Sequence, residues 1–241
     1  MSTSLSGKRI VILGGTSGIG LATALAAERE GAHLVVSSSR QRRVDQALAA
    51  LSGRAEGYAV DLSDEAQIQA FFERIGAFDH LVFTAGEALQ LQPLPETELG
   101  AARGFLDLRF WGAFMAVKYG SPHLRPGGSV VLTTGTAGRR PQKGWTVAAS
   151  ICGAMEALTR ALAVELAPIR VNAVCPGFVR TELWSTMSEA ARETMFREAG
   201  QALPVGRVGE ADDLAEAYLY LMREGFSTGQ VIVVDGGAVL V

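Results

Sequence analysis

Gly14, Gly18 and Gly20, in the run Gly14-Gly15-Thr16-Ser17-Gly18-Ile19-Gly20, have the types and spacing to meet phosphate. Glycine lets the chain turn sharply and lets bare backbone approach a pyrophosphate. A helix starting beyond such a turn adds unpaired N–H groups and the positive end of its dipole. A merely structural turn has the same composition, so the reading depends on a strand before the glycines and a helix after them. A second informative run is Ser37-Ser38-Ser39-Arg40. An NAD site normally carries an acid there to accept hydrogen bonds from the ribose 2′-hydroxyl, whereas this chain has none until Asp45. Serine hydroxyls and a guanidinium fork suit a 2′-phosphate instead. NADP(H) is therefore expected over NAD(H), the bland alternative being that Arg40 is only a solvated surface residue.

The elements needed to position these groups are legible as β-rich apolar runs alternating with helical stretches, the mark of βαβ units around a parallel sheet. Arg9 to Leu13 is apolar almost throughout, as in a strand covered on both faces, and Ile19 to Glu30 reads as a helix closed by Gly31. The strands expected next are His33 to Ser37, Gly57 to Val60, Leu81 to Phe83, Ser129 to Thr133, Ile169 to Val174 and Val231 to Val234. Helices are expected over Arg43–Leu51, Asp64–Ile75, Leu99–Tyr119, Val147–Leu166 (stopped by Pro168) and Ala211–Met222. Residues 180–200 read as a polar, helical excursion over the open end of the sheet. No internal repeat or low-complexity linker divides the chain, so one domain over 1–241 is expected.

Composition narrows the function classes. The 241 residues carry a net charge of −3, which gives no electrostatic reason to expect nucleic acid or an anionic membrane. Cys152 and Cys175 form neither a disulfide framework nor a metal-ligand spacing, and His33, His80 and His123 are scattered, so no metal site is expected. The N-terminus has no apolar signal core, and no later stretch reads as a membrane span. A cytoplasmic protein is the default expectation.

The spacing G-x-x-x-G-x-G resembles the short-chain dehydrogenase/reductase family. Further resemblances follow over nearly the whole chain: Asp61-Leu62 after the third strand, Thr84-Ala85-Gly86, the run Arg170 to Gly177 followed by Thr181, then Thr228-Gly229-Gln230 and Asp235-Gly236-Gly237. The resemblance implies a Rossmann-type α/β fold with a doubly wound, parallel seven-stranded sheet in the order 3-2-1-4-5-6-7. It implies a dinucleotide across the C-terminal ends of the strands and a homodimer or homotetramer. Cofactor contacts then fall on Gly14, Thr16, Ser17, Gly18, Ile19, Gly20, Ser38, Ser39, Arg40, Asp61, Leu62, Ala85, Gly86, Pro176, Gly177 and Thr181. A small-molecule ligand beside the dinucleotide is a further implied partner.

The family typically carries an Asn-Ser-Tyr-Lys tetrad, in which the tyrosine moves a proton as hydride moves, helped by the lysine. Matching Ala154 to Thr159 with the family's helix puts Ala148 at the tyrosine and Cys152 at the lysine. Gly135 falls at the serine and Arg109 at the asparagine. A shifted alignment does not rescue the pattern. Tyrosine occurs only at 58, 119, 218 and 220, lysine only at 8, 118 and 143, and asparagine only at 172.

Conventional alcohol or ketone chemistry is therefore not expected, the alternative being an NADP-dependent oxidoreductase with non-standard catalytic groups. Lys143 reads as an exposed loop lysine unless it swings inward. Of Thr134 and Thr136, one is expected to pack and the other to cap a helix, unless either hydroxyl holds a ligand oxygen. Cys152 reads as packing. Arg109 either lines the old substrate pocket, blocking it or binding an anion, or points to solvent or an acidic neighbour. Phe178, Trp184 and Met187 would belong to a lid in the family, or equally to core or interface.

Overall fold

The apolar runs become strands with alternate residues feeding opposite faces, as a strand's period of two requires. The computed structural model describes residues 4–53, 55–89 and 91–241. Its strands are β1 (Arg9–Leu13), β2 (His33–Ser38), β3 (Ala55–Ala59), β4 (Phe78–Phe83), β5 (Leu124–Thr133), β6 (Arg170–Pro176) and β7 (Val231–Val234). They pair in parallel in the order β3-β2-β1-β4-β5-β6-β7. Val11, Leu13, Leu81 and Phe83 enter one core, while Ile10, Ile12 and Val82 enter the other. The sheet is buried on both sides, which is why its strands read as apolar runs.

Helices α1 (Gly18–Arg29), α2 (Gln41–Ala50), α3 (Glu65–Ile75), α4 (Leu99–Leu106), α5 (Ala113–Gly120), α6 (Thr146–Glu165), α7 (Glu189–Ala202) and α8 (Ala211–Arg223) connect them. Helices α1 and α8 cover one face with Ala24, Ala27, Leu214 and Tyr218. The other face takes Ile68 and Phe72 of α3, Ala116 and Val117 of α5, and Ile151, Met155 and Leu158 of α6. Strand order reverses between β1 and β4, so loops leaving their C-terminal ends diverge and open a crevice there, the usual ligand position in such sheets.

Three sequence expectations need correction. The helix expected over Leu99–Tyr119 is not uniform: it widens into a π turn at Asp107–Gly112 between α4 and α5. Gly112 packs there against the Leu62 carbonyl, where a Cβ would come within 2.7 Å, and no apolar-periodicity argument could locate that contact. The excursion expected at 180–200 is a 3₁₀ turn at Glu182–Trp184 followed by α7, which runs to Ala202. It has its own apolar centre in Trp184, Phe196, Leu203 and Val208. Finally, α6 does meet the length and composition of a membrane span, contrary to the sequence reading. One face of it packs on the core, burying Ile151, Met155, Leu158, Thr159, Leu162 and Ala163, while the rest of the helix is not buried.

Candidate active site

The β1–α1 corner is built by two close approaches. Gly14 has φ +86°, and a Cβ on it would lie 2.6 Å from the Ala85 backbone nitrogen. A Cβ on Gly20 would lie 2.2 Å from the Gly14 carbonyl oxygen, so only glycine lets α1 sit this close to the turn. Ser17 is the N-cap of α1, yet its side chain caps nothing and the first turn holds no acid. The free N–H groups and the dipole of that turn therefore remain for an outside anion.

These elements bound a cleft of about 620 Å³. Gly14, Thr16, Ser17, Gly18, Ile19 and Gly20 line its floor, Ser38, Ser39 and Arg40 one end, and Asp61 and Leu62 the adjoining wall. Ala85, Gly86, Pro176, Gly177 and Thr181 line the rest, so every residue assigned to the dinucleotide from the sequence borders one space. Thr84 supports the junction by donating from its hydroxyl to the Leu13 carbonyl at 3.2 Å. Arg43 also lines the cleft and reaches across to Glu182 of the 180–202 excursion at 2.8 Å. Sequence reasoning passed over Arg43, although a position one helical turn beyond Arg40 shares its face.

The far end of the cleft receives Arg109, Gly135, Ala148 and Cys152. No tyrosine or lysine among the described residues lines it. Tyr58 and Tyr119 bond to Glu56 and Glu65, Tyr218 to Thr133, and Tyr220 is exposed. Lys8 pairs with Asp79, Lys118 with Glu65, and Lys143 is exposed on its loop. The helix cap expected of a threonine is not formed. Thr134 donates sideways to the Cys152 carbonyl at 3.0 Å, and Thr136 begins a 3₁₀ turn whose cap position is Gly135. Cys152 packs closely, its Sγ 3.2 Å from where a Gly135 Cβ would be. Burial raises its thiol pKa, against a lowering by Thr134, Gly138 and Arg109.

Arg109 turns inward, carried by the π turn, and meets an acidic neighbour inside the cleft. Its guanidinium lies against Gly86, where a Cβ would come 2.7 Å from Nη1, and over the Phe105 ring. Its Nη2 donates to the main-chain carbonyl of Glu87. Its Nε stands 3.5 Å from Glu87 Oε2, close enough for attraction but without a hydrogen bond, and neither buried atom has another partner. Burial raises the Glu87 carboxyl pKa against the lowering by Arg109, and burial likewise lowers the guanidinium pKa against the raising by Glu87. Nothing in the sequence singled out Glu87: its neighbour is 22 residues away along the chain.

A second cavity, about 800 Å³, opens beside the first and shares Thr136, Trp145 and Phe178 with it. Its wall is α7, through Ala191, Met195 and Ala199, with Arg140 near its edge and Val241 at the chain end. Phe178 stacks on Trp184 at 5.7 Å and lies 6.0 Å from Trp145, so the two spaces meet at an aromatic junction.

The family model of an SDR-like Rossmann domain matches residues 1–241. The chain belongs to the short-chain dehydrogenase/reductase family. It is 39% identical to the short-chain dehydrogenase/reductase ATR9 of Stachybotrys chlorohalonatus, over 98% of this chain and 99% of that one. Among solved structures it resembles a small-chain dehydrogenase in complex with NADPH (40% identity, TM-score 0.85, covering 98% of this chain and 100% of that one). It also resembles the MalC reductase/Diels-Alderase of Malbranchea aurantiaca (30% identity, TM-score 0.91, covering 98% of each chain).

Proposed function

We propose that this short-chain dehydrogenase/reductase binds NADP(H) in the 620 Å³ cleft and works without the phenol–ammonium relay typical of its family. One observation carries the reading: the cleft is furnished for a phosphorylated dinucleotide at one end, while Ala148, Cys152 and Gly135 stand at its other end. The residues present fit the cofactor. The uncapped first turn of α1 and the glycine approaches suit the pyrophosphate, and Arg40 with Arg43 suits an adenosine 2′-phosphate. The likeness to an NADPH-bound dehydrogenase supports the same choice. Once bound, the dinucleotide would supply a hydride.

The chain's own groups would orient it: Thr181, Pro176 and Gly177 at the nicotinamide end, Asp61 and Leu62 at the adenine end. Trp145, Phe178 and α7 would hold the body of an apolar ligand in the adjoining cavity. A cytoplasmic homodimer or homotetramer completes this reading.

A second reading, an NADP-dependent oxidoreductase with non-standard catalytic groups, is favoured by the half-buried Glu87–Arg109 pair. Fluorescence titration with NADPH and NADH, together with a ketone turnover panel, tests the proposal. Saturable NADPH binding, tighter than NADH, is expected, with any turnover unchanged in Lys143→Ala. Failure to bind NADPH, or ketone reduction abolished by Lys143→Ala, would overturn it.

A further inference from the structure

We propose that Glu87 is the acid of this cleft, donating a proton to a substrate carbonyl oxygen while Arg109 holds the carboxyl and stabilises the charge left behind. The inference rests on the NADP(H) reading and names the group that replaces the phenol. Four observations support it. Glu87 follows Gly86 at the C-terminal exit of β4 and lines the same cleft as Pro176, Gly177 and Ala148. Its Oε2 is closed off from solvent beside Arg109, while about a third of the side chain stays exposed (33%), so the carboxyl is held on one side and open on the other. Arg109 fixes the residue through its main-chain carbonyl and lies 3.5 Å from Oε2. Burial shifts the carboxyl toward its neutral form, against the lowering by Arg109.

The other ionisable groups bordering the cleft are poor acids or lie elsewhere. Arg109 stays charged. Arg40, Arg43, Asp61 and Glu182 stand toward the adenosine end or its rim, Arg43 and Glu182 in a mutual ion pair. Cys152 presents a thiol whose pKa burial raises. In the proposed step the carbonyl carbon accepts hydride from the reduced dinucleotide and forms the new C–H bond. The π electron pair moves to oxygen, and that oxygen takes the proton from Glu87. The products are alcohol, oxidised dinucleotide and a Glu87 carboxylate, which takes up a proton from solution, so one proton is consumed per turnover. Arg109 offsets the carboxylate's charge during the interval.

Two measurements on the full chain test this. In protein labelled with ¹³C at glutamate Cδ, the Glu87 signal, assigned by its loss in Glu87→Gln, should titrate above the ordinary value of about 4.3. Arg109→Met should move it higher still. With NADPH and fused-ring ketones such as 2-tetralone, Glu87→Gln should lower kcat by about 10²- to 10⁴-fold. NADPH affinity, read by fluorescence, should change by no more than about two-fold, and Glu87→Asp should recover part of the rate. Unchanged kcat in Glu87→Gln, a Glu87 midpoint at or below the ordinary value, or NADPH binding with no ketone reduced would each overturn the acid assignment. No NADPH binding in the wild type would instead sink the dinucleotide reading, and the assignment with it.

Discussion

Replacing Tyr218 by phenylalanine separates a structural tyrosine from a catalytic one. Tyr218 is fully buried in α8, and its hydroxyl lies 2.6 Å from Oγ1 of Thr133, a residue that lines the cleft. Thr133 gives its own proton to the Phe83 carbonyl at 2.6 Å, so the tyrosine is left as the donor and its proton is already committed. Phenylalanine keeps the ring and opens no cavity. The loss is then one neutral hydrogen bond, about 1 kcal/mol, or a fall in Tm of about 2–4 °C for a chain of this size.

The pH dependence has a definite sign. Burial raises the Tyr218 pKa, so above about pH 10 the unfolded chain ionises there while the folded one does not. Unfolding is thereby favoured as pH rises, and Tyr218→Phe should remove that alkaline component. Circular dichroism melts between neutral pH and pH 11, paired with NADPH titration, read both effects. If the variant kept its fold and its NADPH affinity but lost NADPH-linked turnover more than about ten-fold, a phenol would be acting through Thr133. The absence of a phenol relay would then be wrong.

Arg40→Ala and Arg43→Ala should each weaken NADPH about ten-fold, one charge-assisted contact of about 1.5 kcal/mol, and leave NADH within about two-fold; equal losses for both nucleotides would remove the 2′-phosphate from that corner. His80 is buried against Ser129, its pKa lowered to about 4 by burial, aided by Arg170 and Lys8 and opposed by Asp79. Because the unfolded histidine takes up a proton near pH 6.5 and the folded one does not, stability should fall as pH drops from 6.5 toward 4, by up to about 3 kcal/mol. His80→Leu should flatten that limb in urea titrations at stepped pH, and an unchanged limb would assign it to other groups. Gly20→Ala, which forces a Cβ to 2.2 Å from a backbone oxygen, should cost about 3 kcal/mol or more; a wild-type melt would show that α1 yields freely there.

Most strand and helix positions and the glycine corner were legible because each depends on local pattern, whereas the sheet order followed from the family resemblance. Apolar runs mark strands buried on both faces, glycine marks close backbone approach, and Ser38 to Arg40 lie at a strand end whose role is set by topology. Ala148, Cys152 and Gly135 were locatable because β5, α6 and the connecting loop keep a fixed spacing. Glu87 escaped, since its significance arises only when the π turn at Asp107–Gly112 brings Arg109 against Gly86. Arg43 escaped for a similar reason: its partner Glu182 lies across the cleft on a distant segment. The cap expected of either Thr134 or Thr136 failed to form, because Thr134 donates to a carbonyl of the neighbouring helix and Thr136 lies within the 3₁₀ turn rather than at its cap. Long-range side-chain pairing was the part that spacing alone did not encode.

A crystal structure of the protein grown with NADPH is the most direct discriminator. The nucleotide should lie along the β1–β4 crevice, with its pyrophosphate on the first turn of α1 and its 2′-phosphate between Arg40 and Arg43. Its nicotinamide should face Glu87 and Arg109, with Ala148 and Cys152 across from them. Density elsewhere, or a tyrosine or lysine drawn in against the nicotinamide ring, would contradict both the placement and the missing relay.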